Sequence, residues 1–268
     1  MKKKLTVLVI ILLILICTYS GCIEETPKKK SNKIYVDING KGDFTSIQDA
    51  INASKDGNII IVRSGTYYEK LNINKSINLI GEEKNTTVIS RSNSGDIGNL
   101  LTLETNNSHI ENFTFNNGSS SLSSCILLTR SFNNTIKNNN IIGFNHGIYV
   151  LSYSDKNTIS DNFISNNNYG IRIKGCHFNN VSNNIIKNNG RGVYCCCGAE
   201  YNEIHFNNFF ENYEYNGFES SSLTNYWDNN YWDDYNGTDV DNDGYGDTPY
   251  LIPTGTDIDS KPLIKPFV

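Results

Sequence analysis

The sequence predicts an all-β chain wound as a parallel β-helix, a single-stranded solenoid of short coils, and three observations carry that expectation. A motif of the form N-x-I-x-x-N-x-I, followed by Gly, an apolar residue, any residue and another apolar residue, repeats from Asn134 onward. Its apolar anchors Ile136, Ile159, Val181 and Ile204 recur at spacings of 23, 22 and 23 residues, a period that marks stacked structural units. Within each unit apolar and polar residues alternate in runs of four or five, which is strand periodicity, while Asn and Gly hold the breaks.

The first copy runs through Asn134, Ile136, Asn139, Ile141, Gly147, Ile148 and Val150, and the second through Asn157, Ile159, Asn162, Ile164, Gly170, Ile171 and Ile173. The third has Asn179, Val181, Asn184, Ile186, Gly192, Val193 and Cys195; a fourth opens with Asn202, Ile204, Asn207 and Phe209 and then loses the pattern. No unit this small buries its apolar face alone, so units stack at about 4.8 Å per layer around an interior of Ile, Val and Phe. Asn suits the bends because it tolerates positive φ and because identical Asn side chains in adjacent layers can hydrogen-bond along the stack.

The N-terminal elements follow in order. Residues Met1 to Cys22 have a basic start, an apolar run from Leu5 to Cys17 and small residues ending in Ser20-Gly21-Cys22, the layout of a secretory signal. The run is shorter than the roughly 20 residues that span a bilayer, so a cleaved signal is expected ahead of an uncleaved helical anchor. Residues 23–33 read as a solvated spacer. Ile34 to Asp37 is a first strand, and Asp43 or Thr45 caps a short helix through about Ala53 that covers the open end of the solenoid. Strands are expected at 59–62, 71–73, 77–80 and 100–103, the β-helix proper spans 34–224, and 225–268 form a C-terminal cap.

These segments carry a resemblance. Ile34-Tyr-Val-Asp, Ile47-Gln-Asp-Ala-Ile, Gly65-Thr-Tyr-Tyr-Glu69 and Ile77-Asn-Leu-Ile-Gly81, together with the Asn repeats, resemble the pectin-lyase-like superfamily of right-handed parallel β-helices, and within it the NosD-like secreted repeat proteins. Asn225-Tyr-Trp-Asp, Tyr231-Trp-Asp-Asp-Tyr and the stretch from Asp239 to Tyr250 are similar to the ending of that group. The resemblance implies a right-handed solenoid with a short N-terminal capping helix. It leaves activity open, because this scaffold hosts lyases, hydrolases, esterases, epimerases and non-catalytic proteins. Gly21-Cys22 resembles a lipobox in which Cys22 is lipidated, with Tyr19 standing where that motif carries Leu, Val or Ile. An extracytoplasmic protein, membrane-anchored at its N-terminus or secreted, is expected.

Charge narrows the partners. The formal net charge of −5 falls by the three lysines of the leader to −8, which makes nucleic acid and anionic membrane surfaces unsuitable. Beyond the leader five cysteines remain, an odd number, so at least one is unpaired within the chain.

Four constellations bear on chemistry. Asp239, Asp241, Asp243, Tyr245 and Asp247, with Gly244 at the sharp turn, have the spacing of a Ca²⁺ loop; Tyr250 stands where an EF-hand has its bidentate Glu, so a structural ion of another loop type is expected. Tyr149, Arg172 and Tyr194 share one outward slot in consecutive copies, with Lys174 two residues from Arg172; such a row is either an ordinary solvated sheet face held by cross-coil contacts or an aromatic and cationic face suited to sugar rings and acidic glycans. Cys176 and Cys197, in equivalent regions of adjacent coils, are placed for a disulfide, to stay as inert core and turn thiols or, with His177, for a soft metal such as copper. His146-Gly147 with Arg172-Ile-Lys174 resembles the polygalacturonase cleft, but no Asp or Glu occurs from Asn112 through Ser154 to supply a carboxylate pair.

A non-catalytic cell-surface protein that binds carbohydrate or contributes to an envelope layer is therefore the leading expectation. A polysaccharide lyase, epimerase or hydrolase, or a copper-related accessory protein, is the alternative.

Overall fold

From Lys33 the chain winds through one short strand on each of three faces per coil, and strands of successive coils pair in parallel. The computed structural model describes residues 32–91, 98–116, 123–220, 224–254 and 256–267, which belong to one compact unit from Asn32. The signal-like segment with Cys22, and spacer residues 23–31, lie outside the described residues. Among the described residues no helix is long and apolar enough to cross a membrane.

Three sheets form the walls. Sheet A has eleven strands, from Lys33–Val36 through Thr135–Lys137 and Tyr226–Asp228; sheet B has eight, ending at Tyr231–Trp232; sheet C has seven, ending at Tyr215–Glu219. Sheets A and B thus run on past residue 224 into the C-terminal segment. The repeat is in strict register: Ile110, Ile136, Ile159, Val181, Ile204 and Trp227 form one buried column on sheet A. Phe115, Ile141, Ile164, Ile186, Phe209 and Trp232 form its counterpart on sheet B. Each buried Ile contributes about 1.5–3 kcal/mol of apolar burial.

Glycine appears where walls approach too closely for a side chain. A Cβ on Gly170 would lie 2.6 Å from the Gly192 carbonyl oxygen, and one on Gly217 would meet the rings of Trp227 and Trp232 at 3.0 Å. Those two indoles fill the last coil, where Trp232 stacks between Phe209 at 4.4 Å and Tyr250 at 4.2 Å.

Asparagine divides its two expected duties between neighbouring residues. The inward Asn of each bend hydrogen-bonds along the stack, while the residue just before it takes the left-handed conformation: Asn133, Asn138, Lys156, Asp161, Phe178, Asn183, Tyr201 and Phe206 all have φ between 51° and 58°. Both expected properties are used, by different residues, because a side chain held inward by its neighbours leaves the sharp turn to the preceding peptide. For an exposed residue such as Lys156 that turn is strained by about 1 kcal/mol relative to Asn or Gly. Lys156→Asn is therefore expected to raise the midpoint of urea unfolding with an unchanged m-value.

Three buried Asn ladders result. In one, Asn139, Asn162, Asn184, Asn207 and Asn230 each donate Nδ2–H to the Oδ1 of the next, at 2.9–3.2 Å. The same Oδ1 accepts the backbone N–H of the preceding ladder residue. A directional chain of amides leaves a donor without an acceptor at its C-terminal end, and a carboxylate takes it each time. Asp259 accepts from Asn230, Glu219 from Asn225 at the end of the Asn134 ladder, and Asp233 and Asp234 from Asn216, which follows Asn212 in the third. Burial raises the Asp259 pKa, against the donors from Asn230 and Trp232 that stabilise its charge.

At the other end, helix α1 (Ile47–Ala53) buries Ile47, Ala50 and Ile51 over the first coil. Its cap is Ser46 rather than Asp43 or Thr45, since the Asp43 carboxylate accepts the Tyr35 N–H instead. Glu69 closes the helix start by accepting Ile47 N–H, Gln48 N–H and the Ser46 hydroxyl at 2.8–2.9 Å, and Lys75 donates to the carbonyls of Ile51, Asn52 and Ser54 at its end. An acid at the positive pole and a base at the negative one match the helix dipole. The conspicuous Gly65-to-Glu69 motif thus serves a structural cap.

Candidate functional site

On sheet C the strands His146–Leu151, Tyr169–Lys174 and Arg191–Cys196 pair so that Tyr149, Arg172 and Tyr194 stand in one outward row, flanked by inward Ile148, Ile171 and Val193. The Arg172 guanidinium carbon lies 5.2 Å from the Tyr149 ring, 5.2 Å from Tyr169 and 5.5 Å from Tyr194. His146 stacks on Tyr149 at 4.5 Å and on Tyr169 at 5.0 Å, and Tyr169 on Tyr194 at 5.7 Å. Arg172 Nη1 faces His146 Nε2 at 3.4 Å and Nη2 faces Cys196 Sγ at 3.9 Å; Nε is buried without a hydrogen-bond partner. Lys174 is in register with Leu151 and Cys196 on the same wall.

Protonation leaves this cage with one uncompensated positive charge. Burial, then the Arg172 charge, lowers the His146 pKa to about 4, so the imidazole is neutral at pH 7. Burial, then the Cys197 thiol, raises the Cys196 pKa against the pull of Arg172, which keeps a thiol beside the guanidinium. Burial also opposes the Arg172 charge, but contacts with Cys196, Tyr149 and Tyr169 outweigh it and lift that pKa. No carboxylate pairs with Arg172 among the described residues; the nearby Glu214 is engaged by Arg191, whose guanidinium lies 4.7 Å over Tyr169. A planar cation held by π faces, an imidazole and a thiol has its charge available to an anion.

His146, grouped with Arg172 and Lys174 in the sequence only through the likeness to a polygalacturonase cleft, does stand against Arg172, while Tyr169 and Arg191 are additions to the expected face. The signal for them is one register position, since His146, Tyr169, Arg191 and Tyr215 each open one of four consecutive sheet C strands.

The thiols do not assemble a centre. All five cysteines beyond the leader are free, so Cys176 and Cys197 are not bridged. Cys176 is buried and donates to the Lys174 carbonyl at 3.3 Å, with burial pushing its pKa to about 11, whereas Cys197 is exposed at a bend of φ 60°. His177 Nδ1 faces Glu200 at 3.5 Å. Among the described residues only Asp239, Asp241 and Asp243 bring three ligand atoms within 4.8 Å of one another. Their loop is folded around Asp239, which accepts Asp243 N–H and Gly244 N–H at 3.1 Å, and Tyr245 N–H reaches Asp243 at 2.9 Å. Asp247 points elsewhere, accepting Val240 N–H at 2.8 Å. Three converging carboxylates in an oxygen-only loop fit a hard divalent cation.

A family model described as "Periplasmic copper-binding protein (NosD)" matches residues 30–237. The chain belongs to the NosD family. Pectin methylesterase PemA from Erwinia chrysanthemi superposes with a TM-score of 0.52 at 15% identity, over 81% of this chain and 74% of that one, which places this NosD-family chain in the right-handed parallel β-helix fold. A second pectin methylesterase, solved with a hexasaccharide, gives 0.47 at 16% identity over 74% and 78% of the two chains. In sequence, probable pectinesterase 67 of Arabidopsis thaliana is 44% identical over 77 residues, 26% of this chain and 22% of the relative's length.

Proposed function

We propose that this NosD-family protein recognises acidic polysaccharide outside the cytoplasm, gripping a uronate carboxylate with Arg172 while Tyr149, Tyr169 and Tyr194 line the sugar path. The observation that carries this reading is the Arg172 cage itself, a permanent cation set among tyrosines with no carboxylate among the described residues to neutralise it. Lys174 adds a second positive group along the same wall. The likeness to pectin methylesterases supports a carbohydrate ligand.

A polysaccharide-active enzyme is a second reading, favoured by the neutral His146 beside Arg172 and by the segment similar to a pectinesterase. Copper is not part of either reading. Among the described residues the thiol and imidazole groups at Cys176, His177 and Cys197 do not converge on one point, so these residues do not fit a copper centre.

The test is titration calorimetry of the purified protein with oligogalacturonate and with a neutral glucan of equal length. Binding of the former alone, weakened by added salt, is expected; equal binding of both, or of neither, would sink the proposal. The aspartate loop is read as a Ca²⁺ site that orders the C-terminal segment. About 1 mM Ca²⁺ is expected to raise the melting temperature by a few degrees, and Asp241→Asn to remove that gain. A melting temperature indifferent to Ca²⁺ and chelator would contradict it.

A further inference from the structure

The far end of sheet A holds a different combination of groups. Here Glu203 and His205 on one strand stand in register with Tyr226 and Asp228 on the next. Two open clefts, of about 280 and 500 Å³, meet at this point and share Tyr226 and Asp228 as walls. The first is completed by Glu203, His205 and Asn229; the second adds Asp257 and the hydroxyls of Thr224, Thr256 and Ser260. Among the described residues no lysine or arginine lines either cleft.

Tyr226 supplies an apolar platform. Phe178, Tyr201 and Tyr226 stack along the solenoid with centroids 5.4 and 6.5 Å apart, and Tyr226, the last ring of that run, is 52% exposed where the clefts meet. His205 is held in place by the Asn180 side-chain amide at 2.9 Å.

We infer that this double cleft is a second saccharide site, separate from the Arg172 cage, and that its ligand is an amine-bearing glycan. Hydroxyl and amide groups around an exposed aromatic ring suit a polyhydroxylated ring. Carboxylates on both sides of that aromatic, with no lysine or arginine beside them among the described lining residues, select a ligand with protonated amines through charge-assisted hydrogen bonds and the tyrosine face. A uronate chain, the ligand of the sheet C cage, is repelled here. The two walls thus read opposite charges, and two subsites on either side of Tyr226 accommodate consecutive sugar units.

The experiment is titration calorimetry of the full chain, with chelator present to exclude metal bridging, using glucosamine hexamer, N-acetylglucosamine hexamer and galacturonate hexamer. Glucosamine hexamer is expected to bind, and its acetylated counterpart to bind at least about tenfold more weakly. Tyr226→Ala and Glu203→Gln, each checked for native far-UV circular dichroism, are expected to weaken glucosamine binding by about tenfold or more, while Arg172→Ala leaves it unchanged. Absence of binding, equal affinity for the acetylated hexamer, or wild-type affinity in both cleft variants would overturn the assignment. The last result would reduce the interaction to general attraction between a polycation and an acidic protein. Because the uronate reading is judged on oligogalacturonate through Arg172 and this one on glucosamine hexamer through Tyr226 and Glu203, failure here and failure of the uronate reading are distinguishable.

Discussion

Asn184→Ala is expected to lower the unfolding free energy by about 3–5 kcal/mol, an unusually large loss for removing one amide. The side chain is fully buried and makes five hydrogen bonds. It donates to the carbonyls of Ile159 and Ser182 and to Asn207 Oδ1 at 2.8–3.0 Å, and its Oδ1 accepts both the backbone and the side-chain N–H of Asn162 at 3.0 Å. Truncation strands donors and acceptors on three neighbouring coils where no solvent reaches them, and each buried orphan costs about 1–3 kcal/mol. Urea unfolding followed by circular dichroism measures the loss. Asn180→Ala, four residues away on the outward side of sheet A, serves as control and is expected to cost under about 1 kcal/mol. Similar losses for both variants would show that the ladder contributes nothing special.

Those ladders explain how much of the fold could be read from residues alone. Repetition at 22–23 residues is a property of the chain itself, so Ile136, Ile159, Val181 and Ile204 announced the stacked columns and Asn134 through Asn202 the bends. Where repetition fades, so did legibility. The helix cap went to Ser46 because Asp43 and Glu69 are placed by contacts with distant strands, which no local pattern encodes. The acids that terminate the ladders are likewise invisible in sequence, since Asp259 lies 29 residues beyond the Asn it completes.

The site divides in the same way. Tyr149, Arg172 and Tyr194 were legible as one row because they share a repeat slot. Tyr169 and His146 reach Arg172 from the beginning of their strands, so their part depends on side-chain direction across coils and on the length of the arginine.

Arg172→Ala is expected to weaken oligogalacturonate binding by about 30-fold or more, equivalent to about 2 kcal/mol, while changing stability little. Arg172→Lys should recover only part of that affinity, because an ammonium cannot present the guanidinium plane to both the tyrosines and a carboxylate. His146→Gln tests the support beneath it. Loss of the stacked imidazole frees the guanidinium to swing, so affinity falls by about threefold to tenfold without loss of the salt dependence that marks the charge. Unaltered affinity in Arg172→Ala would move the binding surface to another wall.

The most direct measurement is a nitrogen-15 spectrum of the arginine Nε–H groups during titration with galacturonate trimer. The Arg172 resonance, assigned by its absence in Arg172→Ala, is expected to shift progressively and saturate at one equivalent per site, with Arg63 and Arg130 unmoved. A shift spread evenly over all arginines, or an Arg172 signal that stays in place while ligand binds, would contradict the cage as the point where this protein meets its glycan.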